Sequence, residues 1–134
     1  MTEPVVIAPV LMKDVGDCFI CCLSMLTGRP YADVYAAIPR RKKGTALTDG
    51  LPVTDVCRVA KRLGFPLRYH TFGEEEERAI GILVLHRTYG SDMHMVMYAK
   101  RTLIHPGDGL WYTDLDAYLK KYNWRVEGFL WRTT

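Results

Sequence analysis

The sequence has no run of 18 apolar residues, and so no candidate membrane-spanning helix. It has little charge imbalance: 18 Lys and Arg stand against 15 Asp and Glu, a formal net charge of +3. That excess is too weak to argue for a nucleic-acid partner. The single dense basic stretch, Arg40-Arg41-Lys42-Lys43, reads as a solvated loop. There is no internal repeat, and no low-complexity segment beyond Glu74 to Glu77. Met1 to Val10 lacks a basic leader before its apolar residues, and Asp14 and Asp17 follow soon after. The segment does not read as a signal peptide, and a cytoplasmic protein without a membrane partner is expected. Cysteine is scarce. Three of the four, Cys18, Cys21 and Cys22, crowd into five positions and make a poor disulfide framework; with Cys57 they are expected to be thiols in a reducing compartment. Cys18 and Cys21 have CxxC spacing, but a zinc site needs about four ligands, and no second CxxC or HxxxH pair exists. The flanking residues also suit a redox motif poorly. No cofactor and no metal are expected, although a metal or redox role for Cys18, Cys21, Cys22 and His94 stays open as a third reading.

What is present fits one globular domain over residues 1–134. Hydrophobic residues make up 49% of the chain and charged residues 25%, enough for a self-sufficient core. Val5 to Leu11 reads as a short strand or extended arm. Asp17 then suits the N-cap of a buried helix from Cys18 to Leu26, ended by Gly28-Arg29-Pro30. Tyr31 to Ile38 predicts a second helix, Arg40 to Gly50 a polar loop, and Pro52 to Leu63 a third helix with Gly64 behind it. Strands follow at Pro66 to Phe72, Ala79 to His86, Met93 to Ala99 and Thr102 to His105, the last two as a hairpin through Lys100-Arg101. Tyr89 to Asp92 and Pro106 to Gly109 read as turns. Thr113 to Tyr122 carries Asp114 and Asp116 early and Lys120-Lys121 late, matching a helix dipole at both ends. Arg125 to Trp131 closes with a strand. Helices first, then an antiparallel meander, predicts the α+β class.

Cys18 is the first residue that could do chemistry. At the first position of a helix, unpaired N–H groups and the dipole favour a thiolate, the nucleophile of acyl transfer. Beside Phe19 and Ile20 it could equally be a buried core thiol; Cys21, Cys22 and Cys57 read as core. His94 opens a strand in which His94, Val96 and Tyr98 share one face and Met93, Met95 and Met97 the other. There it could serve Cys18 as general base, or be an ordinary strand histidine. His70 and His86 read as bystanders. A group orienting the imidazole is sought downstream, in His105 or Asp108, with Asp92 more remote; a carboxylate at Asp108 also suits a plain turn.

Asp17-Cys18, the helix Phe19 to Leu26, Thr27-Gly28 and Tyr31-Ala32-Asp33-Val34 resemble the opening of the bacteriocin-processing (C39-like) branch of papain-like cysteine peptidases. The second block, Met93 to Tyr98, Lys100-Arg101, Leu103-Ile104-His105-Pro106 and Gly107, resembles that family's His strand, short turn, following strand and Asp-Pro-Gly. The likeness covers roughly residues 10 to 110. It implies a papain-like fold, with N-terminal helices packed on an antiparallel sheet. It also implies a peptide or protein substrate, Cys18 as nucleophile and His94 as base. Phe19 stands where the family has glycine, Met12 where it has the oxyanion glutamine, and His105 where it has the orienting aspartate. Asp108 could substitute for the last, and Lys13 or backbone N–H groups beside Asp17 and Cys18 for the oxyanion donor. A different class of function is a degenerate domain of this kind that binds or inhibits a protein through aromatic anchors such as Trp111, Tyr112, Trp124 and Trp131, which could otherwise be core.

Overall fold

The computed structural model describes residues 10–13, 16–70, 80–88, 93–99 and 102–132. Most of the expected arm from Val5 to Leu11, the acidic run at Glu74 to Glu77, the turn at Tyr89 to Asp92 (with Asp92 itself) and the Lys100-Arg101 connection lie outside them.

Helix α1 runs Cys18–Thr27, and Phe19 to Met25 are all buried. A helix apolar all round must be enclosed on every side. It ends where Gly28 adopts φ 74° and returns its N–H to the Ser24 carbonyl, a left-handed cap that costs glycine nothing. Asp17 occupies the N-cap position, but its carboxylate makes no cap bond; its carbonyl accepts from Ile20 and Cys21 N–H. Helix α2 follows at Tyr31–Ala36. The segment expected to be a polar loop folds instead into a 3-10 turn at Arg40–Lys42 and helix α3 at Lys43–Asp49. A buried Ala46 and half-buried Leu47 packed on the core hold that helix, and the Leu47 carbonyl accepts the Gly16 N–H at 2.7 Å. Helix α4, Val53–Arg62, is amphipathic, with Val56, Val59 and Ala60 buried. Its Asp55 is one of few buried charges and meets Lys42 at 3.5 Å and Arg58 at 3.6 Å.

The strands are β1 (Leu67–His70), β2 (Ile80–Arg87), β3 (Met93–Ala99), β4 (Thr102–Ile104), β5 (Trp111–Tyr112) and β6 (Trp124–Arg132), with helix α5 at Leu115–Tyr122 between the last two. They form one antiparallel sheet in the order β1-β6-β2-β3-β4-β5. The α+β class is therefore as expected, but the meander is not simple: β6 inserts between β1 and β2. The apolar run of β2 is central, and β3 and β4 form the expected hairpin, Ala99 opposite Thr102.

Strand alternation gives the sheet two different faces. Ile82, Val84, Met95, Met97, Ala99, Ile104 and Leu130 join α1 to α4 in one core. Leu83, Leu85, Val96, Tyr98, Leu103 and Phe129 join α5 in another. A bulge between Val84 and Leu85 shifts the β2–β6 register, which keeps Val126 and Trp124 on the α5 face. Helix α5 is capped by Asp114, which accepts the Ala117 N–H at 3.1 Å, and ends at Asn123 with φ 58°. No described helix is long and apolar enough to cross a membrane.

Candidate active site

Cys18 is half-buried at the start of α1 and packs on the helix-side core. The backbone at Met95 in β3, at Phe19 and at Cys18 itself acts on its sulfur. Each favours a thiolate, yet burial outweighs them and Asp17 adds repulsion, so the thiol is pushed up to about 11. This corrects the expectation that the helix terminus lowers its pKa: the backbone N–H groups do favour the thiolate, but removing it from water costs more. Cys21 and Cys22 are core thiols as read, whereas Cys57 is only half-buried.

His94 lies opposite Leu85 in the β2–β3 register, which directs it to the α5 face. Its Nε2 is 3.4 Å from Nδ1 of His105, and its ring stacks on Trp124 at 5.5 Å and 20°. Arg87 lies 4.0 Å over that indole. Burial first, then His105 and Arg87, pull His94 down to about 3. At neutral pH the site therefore holds a thiol and a neutral imidazole, not an ion pair. Among the described residues no hydrogen bond joins Cys18 to His94. The thiol reaches β3 one residue beyond the histidine, at Met95, and from the other face of the sheet.

His105 follows β4. Its Nδ1 also meets the Tyr118 hydroxyl at 2.8 Å, and Tyr122 stacks on its ring at 5.7 Å and 17°. The turn after it requires Gly107: a Cβ there would stand 2.6 Å from His105 Nε2. Burial lowers the His105 pKa and Asp108 acts against that. Asp108 is exposed and touches neither imidazole by hydrogen bond. Its Oδ1 accepts the Leu110 N–H at 2.9 Å and its Oδ2 the Tyr112 O–H at 2.8 Å. Partial loss of solvent raises the Asp108 pKa, but those two donors and His105 together hold it below the usual carboxylate range. His105, not Asp108, is thus the direct neighbour of His94.

Asp17 is buried and accepts at Oδ2 from the Lys13 N–H at 2.9 Å and the Tyr31 O–H at 2.6 Å. It ties Lys13 and Tyr31 to the start of α1 rather than capping the helix. The Lys13 ammonium sits 4.5 Å over the Tyr31 ring, and the described contacts give it no place at the thiol. Donors at Cys18 come from backbone instead. Met12 packs on the helix-side core and donates its N–H to the Pro106 carbonyl at 2.9 Å, so Met12 lies beside the turn that follows His105. No described group of His, Cys, Asp and Glu could hold a metal ion.

Tyr118 and Tyr122, which help complete the histidine cluster, were not singled out from sequence; Trp124 stood there only as an aromatic anchor and Gly107 only as part of the turn after His105. The stripe Leu115, Tyr118, Leu119, Tyr122, at helical spacing on α5, was the available signal. Trp111 is exposed, while Trp124 and Trp131 pack against the α5-face core. No protein-family model matches the chain, and no curated protein matches it in sequence.

Proposed function

We propose that the protein is a cysteine hydrolase of peptide or isopeptide bonds with a papain-like arrangement, in which Cys18 is the nucleophile, His94 the general base and His105 the group that orients His94. The observation that carries this reading is the meeting of two separately built parts. The β3 backbone at Met95 favours the thiolate of Cys18 at a helix N-terminus, and the adjoining residue is a histidine braced by a second histidine and an indole. Its order along the chain is also that of the family the sequence resembles. The free thiols suit a reducing compartment such as the cytoplasm.

Because thiol and imidazole are both neutral at rest, the proton moves as attack occurs. The Cys18 sulfur bonds to the scissile carbonyl carbon, its proton passes to His94, and the oxyanion is received by backbone N–H groups at the start of α1. His94 returns the proton to the departing amine as the C–N bond breaks. Water, deprotonated by His94, then cleaves the thioester, releasing the acid and restoring the thiol. The transfer requires the His94 ring to turn from the α5 face towards the Cys18 sulfur, since no hydrogen bond joins the two among the described residues. The test is hydrolysis of peptide and isopeptide panels followed by mass spectrometry, in the parent and in Cys18→Ala. Turnover abolished by the substitution supports the reading; turnover unchanged by it refutes the nucleophile.

A second reading is a degenerate domain that binds a protein. The missing Cys18–His94 bond, the raised thiol pKa and the lack of a donor at Met12 favour it. It predicts no Cys18-dependent turnover on any panel.

A further inference from the structure

The histidine pair has two possible proton arrangements, and only one leaves His94 with a base. We propose that Tyr118 is a positioning residue that fixes the tautomer of His105 and, through it, that of His94. This rests on the reading of His94 as general base.

The Tyr118 side chain is 1% exposed, and its hydroxyl has one hydrogen-bond partner among the described residues, Nδ1 of His105 at 2.8 Å. A buried O–H with one partner must donate to it or leave a donor unmade, which is the costlier state. His105 Nδ1 is therefore an acceptor, and the His105 proton resides on Nε2, beside Gly107. His94 Nε2 faces that same acceptor at 3.4 Å. An unprotonated Nε2 there would set lone pair against lone pair, so it carries the His94 proton and shares the acceptor with Tyr118. The lone pair of His94 then resides on Nδ1, the nitrogen not committed to His105. A base with Nε2 engaged must work through Nδ1. Burial and the nearby Tyr122, Tyr112 and Asp108 raise the Tyr118 pKa, so the phenol remains a donor wherever the site operates.

Take away the hydroxyl and the constraint is gone. His105 can then move its proton to Nδ1 and donate to His94 Nε2, which pushes the His94 proton to Nδ1 and occupies the base. The ring of phenylalanine fills the same space, so Tyr118→Phe removes the donor and little else. A net hydrogen bond of ordinary strength corresponds to a change of about three- to tenfold in tautomer ratio.

The experiment is two-bond 1H–15N correlation of the histidine side chains in the full chain near neutral pH, which distinguishes the two tautomers directly. In the parent, both His94 and His105 are expected as Nε2–H. In Tyr118→Phe, both are expected to gain Nδ1–H, with slower acylation of Cys18 by an activated ester. Tyr122→Phe, which loses only a bond to the Tyr112 hydroxyl, is expected to keep the parent pattern. Nδ1–H on His105 in the parent overturns the proposal, and needs no variant to fold. Unchanged tautomers in a folded Tyr118→Phe overturn it as well. Shifted tautomers with an unchanged acylation rate uphold the role of Tyr118 and instead refute His94 as the base.

Discussion

The two faces of the sheet solve different problems. The α1–α4 face is filled mainly by aliphatic side chains, methionines and cysteines around Phe19, and Asp55 is its ion-pair anchor among the described residues. The α5 face carries tyrosines, tryptophans and two histidines, packed by rings and hydroxyls. The first gains stability from area, which is non-directional; the second fixes orientation, since ring stacking and hydrogen bonds depend on angle. Cys18 belongs to the first and His94 to the second, and β3 is the element they share. The proposed chemistry sits at the boundary between a face built for stability and one built for geometry.

The strongest way to separate the faces is to empty the first. Leu23→Ala, at a fully buried position of α1, should cost about 2–5 kcal/mol in urea unfolding through lost transfer energy and a residual cavity. A cost no larger than that of a surface site would mean that α1 does not anchor this core. The faces should also fail at opposite ends of the pH scale. His94 is held at about 3 against an ordinary 6.5. Between those values the unfolded chain holds a proton that the folded one does not, so stability falls as pH drops from 6.5 towards 3. Cys18 is held at about 11 against 9.0. There the folded chain keeps the proton, and stability falls as pH rises from 9 towards 11. His94→Gln should flatten the acid limb alone. Cys18→Ser should soften only the alkaline one, part of which persists because Cys21 and Cys22 are raised too. The same shift sets the reactivity of Cys18: alkylation by iodoacetamide should climb steeply above pH 9, whereas rapid labelling below pH 7 would reveal an ion pair and contradict the neutral dyad.

Gly107→Ala probes the second face with less effect on folding. Its Cβ would displace the His105 ring, so the expected outcome is a change in His105 and His94 resonances with thermal stability lowered by about 1 kcal/mol or less. Unchanged resonances would mean that the turn does not place that ring. An effect of similar size is expected at Asp55→Asn. Its partners Lys42 and Arg58 are solvent-facing, and loss of the pair and of a first-turn acid in α4 should cost about 1 kcal/mol.

The sequence is legible where one local signal suffices. Asp17 and Gly28 bracket α1, the apolar run of β2 marks a central strand, and alternation in β3 correctly divides His94, Val96 and Tyr98 from the methionines. Helix α3 was hidden because Ala46 and Leu47 are too few among charged neighbours to show a period, and two-residue β5 is too short to show one. The place of β6 beside β1 depends on pairing Leu67 with Arg132, a contact that no local pattern encodes. At the site, His94 and His105 stand 3.4 Å apart, a contact between β3 and the turn after β4 that neither local pattern encodes. The state of Cys18 was illegible for a physical reason: helix-end geometry can be read from sequence, but how much solvent the surrounding fold removes cannot.

The most direct measurement is the rate of Cys18 acylation by an activated peptide ester near neutral pH, read by mass at the Cys18 peptide, in the parent and in His94→Ala. The account predicts acylation in the parent and a loss of about 10²–10⁴ in the variant, the usual worth of a general base. Equal rates in the two proteins would contradict it, and would leave His94 a packing residue of the α5 face.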